Sequence, residues 1–515
     1  MRKLKTIVGG ALIGSALLTG AAAPTFSAED GKIVIVQPVL RQQFDPTGVI
    51  ATTDFLVHDN LFDGLINLTE EGLKPALALS WKVSADGLQI DFKLREGVKF
   101  HNGDPFTAED VKFSFERVIS PDSIHAYRKP FQKAMESVEV LGSHDVRFHL
   151  KAPWPGFFTG ARNALVGIVP AAYYQKVGTE GFQKAPIGTG PFKLSEIKAG
   201  EWTEFTANED YWNGAPEIKA VRKILVKEPF TRYAMLTKGE ADILMDITGP
   251  LLEKIRENKE IRMVSAKYSG TSGFYFNKTS FPESQDKNVR MAFAHAINLK
   301  DIADNVLGGV CEPAASIATP ATFGFLPGLK PIEYDPAKAK QLLKEAGIEP
   351  GKEITFLLHT ESFGSLPNAP QTLESIAGYL EAVGFKVTRV PVDSGAYLQM
   401  YRGGKQPDVF YGPSSIPDDA SLTMDGWFLP GSVWSSGNIN EPAYVDIYNR
   451  QLVETDLDKR IAIIQEFLKL EDEKRTGLPL FWCSTPFAIG PRVKDWTLGL
   501  GSGYHMNLDT VKLTN

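Results

Sequence analysis

Residues 63–117 read DGLINLTEEGLKPALALSWKVSADGLQIDFKLREGVKFHNGDPFTAEDVKFSFER. Within this run, Leu88 to Leu94 (LQIDFKL) alternates apolar and polar side chains, the two-residue period of a half-buried strand. Asp86-Gly87 just ahead of it is a hairpin-type turn. Thr107-Ala108-Glu109-Asp110 is a capping-box-like helix start, after which Val111, Phe115 and Val118 fall on one helical face. Strand, turn and capped helix follow one another without a gap.

The pattern continues on both sides. Upstream, Lys32 to Val36 (KIVIV) is a short buried strand. Downstream, Val138 to Leu150 is a hairpin about Gly142-Ser143. Pro186-Ile187-Gly188-Thr189-Gly190-Pro191-Phe192 is a stiff connector and a domain boundary. Strands are expected at Trp202 to Thr206 and Ala220 to Val226, with a helix from Pro229 to Lys238. Asp335-Pro336 opens a helix closed by Gly347. Strand Ile354 to His359, helix Thr372 to Val383 and strand Phe385 to Val390 make a βαβ unit, and a last amphipathic helix spans Leu457 to Asp472. The fold class is therefore α/β. With 515 residues, 43% of them hydrophobic, more than one core is expected.

The N-terminus reads as a cleavable signal peptide over residues 1–28, with Arg2, Lys3 and Lys5 ahead of an apolar run from Ile7 to Leu18 and small residues after it. Leu18-Thr19-Gly20-Ala21 is similar to a lipoprotein acylation site, but Ala stands where the acylated Cys belongs, so a freely soluble periplasmic protein is expected. Removing residues 1–28 takes three of the 55 basic residues and none of the 62 acidic ones, moving the net charge from −7 to −10. That balance disfavours a nucleic-acid partner. No coiled-coil heptads appear, and a monomer is expected. Two cysteines do not make a disulfide framework; Cys311 and Cys483 are read as buried free thiols, with pairing as the alternative.

Motifs for catalysis are missing. The eight histidines show no His-x-x-x-His spacing, and there is no Cys-x-x-Cys, Gly-x-Ser-x-Gly or phosphate-binding Gly-Lys-Ser/Thr loop. No cofactor and no metal are expected. A secreted hydrolase whose residues meet only in the fold is the competing reading.

The run 63–117 closely resembles the signature of the family 5 extracellular solute-binding proteins, the dipeptide-, oligopeptide- and nickel-binding group of bacterial ABC importers. Ile187-Gly188-Thr189-Gly190-Pro191-Phe192, Asn208-Glu209-Asp210-Tyr211-Trp212, Arg290-Met291-Ala292-Phe293-Ala294-His295-Ala296-Ile297 and the stretch from Tyr334 to Gly347 match further family segments in order. The resemblance implies a two-lobed periplasmic-binding-protein fold with a hinge and an additional domain on the first lobe. Lobe I would comprise residues 29–66, 187–285 and 487–515, the additional domain 67–186, and lobe II 286–486. The chain would cross between lobes near Pro186 and again near Trp482. A peptide-like or other small polar ligand would be enclosed between the lobes and delivered to a membrane permease, without chemistry. A metal-chelate binder is the alternative within the family.

In peptide-binding relatives an Asp pairs with the ligand's amino terminus; the best-aligned position here is Ile416, with Asp418 or Asp419 as substitutes if the loop shifts. An Arg that holds the ligand carboxylate in dipeptide binders has no counterpart in Glu361 to Asn368. Ordinary zwitterionic dipeptides are thus disfavoured, because a buried charge without its partner costs several kcal/mol. Sugar- or opine-like conjugates suit what remains. Trp427 and Trp434, the hydroxyls of Ser414 and Ser415, Tyr268 and Thr271 on a cleft strand, Trp482 near the hinge, and Arg162 for an anionic group are the candidate contacts.

Overall fold

The computed structural model describes residues 31–514 apart from 41, 49–54, 70–71, 126–127, 155, 161–165, 248, 361–365, 403–404, 415–418, 433–438 and 499–505. The signal-like N-terminus, Arg162, Ser415, Ile416, Asp418 and Trp434 lie outside the described residues.

An eleven-stranded mixed sheet runs through the chain. At one end, strand Lys32–Gln37 pairs in parallel with Ala220–Leu225 and Ile243–Leu244. At the other, Glu353–His359 and Lys386–Val392 pair in parallel across helix Ala369–Ala382, the βαβ unit of the sequence reading. Two antiparallel strands, Arg262–Phe276 and Leu478–Ile489, join the ends. Residues 262–266 pair with 485–489, then the register slips between Ala266 and Gly270, and residues 270–274 pair with 478–483. Tyr268 sits inside that slip with φ at +54°, a left-handed conformation unusual for a bulky residue. A bulge bends and twists the pair locally.

Buried apolar side chains gather into separate cores on this frame. One draws on side chains between Phe274 and Cys483. A second draws on those between Leu65 and Ile168, around the four-stranded sheet that contains Gln89–Leu94. The rest, from Ile33 to Phe62, Val169 to Ile261 and Phe487 to Val511, pack on the first end of the large sheet. Helix Ala171–Lys184 sends Tyr174 and Phe182 into this last group, ahead of the expected boundary at residue 187. The large sheet passes from one end to the other at residues 267–269, where the bulge lies.

Long-range hydrogen bonds bring the motifs together. Buried Asp63 accepts from Thr189 Oγ1 at 2.8 Å, Tyr211 OH at 2.9 Å and Trp212 Nε1 at 2.8 Å. One carboxylate thus gathers the DGL, IGTGPF and NEDYW segments, and its burial raises its pKa despite these donors. The Gly188 N–H donates to His101 Nδ1 at 3.2 Å, so the ring hydrogen sits on Nε2, 3.0 Å from the Gly190 carbonyl. There is no room beside this connector. A Cβ on Gly188 would lie 2.0 Å from the Leu61 carbonyl oxygen, a backbone atom that cannot swing away. Gly188→Ala is expected to cost about 3 kcal/mol by overpacking, read as a lower urea midpoint; a midpoint equal to the parent's would show that the connector yields.

Capping followed local sequence. Thr107 N–H donates to Asp110 Oδ2 at 2.8 Å at the start of helix Ala108–Ile119, and Asp335 accepts from Lys338 N–H at 2.8 Å before helix Pro336–Glu345. The reading of two free thiols is corrected. Cys311 and Cys483 form a disulfide between the short strand Cys311–Pro313 and strand Leu478–Ile489, where they are direct register partners.

Candidate functional site

Just beyond the bulge, four strands align residues on one face of the sheet. Thr271 is the register partner of Ser414 on one side and of Trp482 on the other. Trp482 is in turn the partner of Glu312. Residues directly opposite in antiparallel pairs share a face. The row Thr271, Trp482 and Glu312 therefore runs across the sheet beside the passage between its two ends, with Ser414 next in backbone register, and the disulfide, one residue away on both strands, lies on the opposite face.

Tyr268 completes the row. Its left-handed backbone turns the ring edge-on against Trp482, with centroids 6.2 Å apart and planes at 88°. Partial burial and the nearby Glu312 carboxylate both raise the Tyr268 pKa. Phe325 also meets Trp482, with centroids 5.9 Å apart and planes at 73°. The indole Nε1 donates to the Ser316 carbonyl at 2.9 Å, which fixes the ring plane. Tyr268, Trp482 and Phe325 are all half-buried, and Glu312 is exposed. The assembly is an apolar, partly open wall edged by one carboxylate, suited to holding a small organic solute.

Three candidates from sequence, Tyr268, Thr271 and Trp482, meet here, with the backbone of Ser414 in the same row. Two others do not. Trp427 is corrected to a core residue: it is 4% exposed and stacks on Tyr275 at 4.3 Å and 14°. Its ring occupies the space a Cβ on Gly412 would need, 2.3 Å away. Asp419 is corrected as an ammonium anchor, because it is 0% exposed and pairs with buried Arg460, Nη2 to Oδ2 2.7 Å. It also caps helix Ala420–Thr423 by accepting from Ser421 N–H at 2.9 Å. Arg162, Ser415, Asp418 and Trp434 lie outside the described residues. Glu312 and Phe325 were missed. Glu312 follows Cys311 directly, so recognising the disulfide would have placed it opposite Trp482.

The profile of the bacterial extracellular solute-binding proteins, family 5 (middle region), matches residues 72–434. The glutathione-binding protein GsiB of Escherichia coli K12 is 30% identical over 457 residues, covering 86% of each chain. Di/tripeptide-binding protein 2 of Pseudomonas aeruginosa is 27% identical over 491 residues, covering 90% of this chain and 92% of the relative. Among solved structures, a dipeptide-binding protein from Pseudoalteromonas in complex with Met-Leu superposes with a TM-score of 0.82 at 23% identity, over 94% of this chain and 100% of the other. With the profile spanning well over half of its length, the chain belongs to the family 5 bacterial extracellular solute-binding proteins.

Proposed function

We propose that this protein is the freely soluble, monomeric periplasmic subunit of an ABC importer. It captures a peptide-like or other small polar solute between two lobes and hands it unchanged to the membrane permease. The observation that carries this reading is the bulged strand pair at residues 267–269, a two-strand passage between two cores with an aromatic row at its edge. A pair of strands with a local irregularity absorbs rotation more readily than a packed core does. The core between Phe274 and Cys483 is the second lobe in this reading, and the core between Leu65 and Ile168 the additional domain. Tyr268, Thr271 and Trp482 form part of the solute surface, with Ser414, Ser415, Asp418, Trp434 and Arg162 contributed by neighbouring segments. Names of relatives, among them glutathione- and di/tripeptide-binding proteins, support a solute with peptide-like features. Ile416 at the usual amino-terminus anchor argues against plain dipeptides as its preferred form.

Two measurements test this. Osmotic shock should release the protein without an acyl mass. Small-angle scattering should show a smaller radius for the protein carrying its co-purified solute than for the stripped protein. Equal radii at saturation would remove the two-lobed clamp, and recovery only in detergent would remove the free periplasmic subunit.

A further inference from the structure

We infer that the solute carries a cationic group, an ammonium or guanidinium, which Glu312 holds against the aromatic row of Tyr268 and Trp482. This rests on the solute-capture reading above and names the ligand class for that site.

Three features converge on a cation. The first is Glu312 itself, an exposed carboxylate opposite Trp482 and near Tyr268, with acceptor capacity for a cation. No Lys or Arg ion pair to it occurs among the described residues. The second is the wall of half-buried rings. Tyr268 and Phe325 each pack edge-to-face with Trp482, and a ring face left open by this packing carries the negative part of the quadrupole and attracts cations. Carboxylate and ring faces therefore favour the same sign of charge, and an anionic group here would meet neither. The third is rigidity. The Trp482 ring is fixed through Ser316. The strand carrying Glu312 is bonded by the disulfide at the preceding residue, with backbone hydrogen bonds from Ser484 N to Val310 O at 2.8 Å and from Ala314 N to Leu480 O at 2.9 Å on either side. Carboxylate and rings are thus held in place before any solute arrives, which lowers the ordering cost of binding. The left-handed backbone at Tyr268 belongs to the same arrangement, since strained conformations of this kind gather at ligand clamps.

The test uses full-length mature protein freed of co-purified solute by mild guanidinium without reductant, so that the disulfide stays closed. Calorimetry compares Arg-Ala with its isostere citrullinyl-Ala, both N-acetylated and C-amidated so that the guanidinium is the sole charge. Arg-Ala should bind about tenfold more tightly, a modest factor for one charge beside aromatic faces. Glu312→Gln should erase that preference while leaving the urea midpoint and the citrullinyl-Ala affinity at parent values, and Glu312→Asp should retain part of it. Equal affinities for the two dipeptides, no binding of either, or a preference that survives in Glu312→Gln would overturn the cation subsite. Solute capture is judged separately, by native mass spectrometry of the untreated protein: a bound solute there upholds capture even where the cation subsite fails.

Discussion

Arg460→Met is expected to destabilise the protein by about 3–5 kcal/mol, because it strands a carboxylate in the core. Arg460 is 1% and Asp419 0% exposed, and the guanidinium reaches Asp419 Oδ2 at 2.7 Å, Ser421 Oγ at 3.0 Å and Gln451 Oε1 at 3.1 Å. It also lies over the Phe323 ring at 4.9 Å. Every hydrogen bond of the guanidinium to these groups is lost at once in the variant, while the Asp419 charge stays where water does not reach. The pair is weak support for stability as a whole, since two well-packed apolar residues serve about as well in such positions. Its signature is the asymmetry between single and double changes. Arg460→Met and Asp419→Asn should each lower the urea midpoint of the unfolding transition that contains the core from Phe274 to Cys483, and the double variant Asp419→Leu with Arg460→Met should recover part of the loss. Midpoints of that transition, rather than one global free energy, are the quantity to compare in a chain with several cores. Single variants within about 1 kcal/mol of the parent would mean that the pair is solvated and contributes little to this core. The same experiment guards against a false reading: lost solute binding in Asp419→Asn would follow from unfolding and not from a missing anchor.

Asp419 shows why sequence resolves some of this molecule and not the rest. Elements set by neighbours in the chain were readable, as in the Thr107 and Asp335 caps, whose hydrogen bonds close over three residues. The βαβ unit around helix Ala369–Ala382 was readable for the same reason, since its apolar periods are local. Asp419 reads as a substitute ammonium anchor, because nothing nearby announces the arginine 41 residues on that buries it. Trp427 reads as a ligand platform until Gly412 is seen to be the hole its ring fills. Tyr268 carries no local signal for a left-handed backbone; that conformation belongs to the bulge, and the bulge to the pairing of two strands far apart in sequence. The family motifs, by contrast, were legible and yet mute about the site. Asp63 binds Thr189 and Trp212, and Trp212 packs on the core from Leu65 to Ile168, so these motifs serve the fold and name no contact in the aromatic row.

Opening the Cys311–Cys483 bridge is expected to be the other large loss, about 2–5 kcal/mol. The two cysteines are 172 residues apart, so the bridge closes a long loop and removes much freedom from the unfolded chain. Loop-closure entropy for that length approaches about 5 kcal/mol, which is an upper figure because real unfolded chains are already compact. Locally the bridge matters for a second reason. Strand Cys311–Pro313 has three residues, and so short an edge contributes few ladder hydrogen bonds of its own. Without the covalent tie, the strand carrying Glu312 should open more often than the strands beside it. Cys311→Ala with Cys483→Ala is the appropriate variant, since serine would bury two hydroxyls where both sulfurs are now shielded. Its urea midpoint should fall below the parent's, and the parent in excess dithiothreitol should fall to nearly the same value, while the double variant should ignore the reductant. Hydrogen exchange should place the new fast amides at Val310 to Ala314 and Leu480 to Ser484, the segments whose mutual bonds flank the bridge. A parent protein whose midpoint and exchange are unmoved by full reduction would show that backbone pairing alone holds this strand, and that the disulfide is not what keeps Glu312 opposite Trp482.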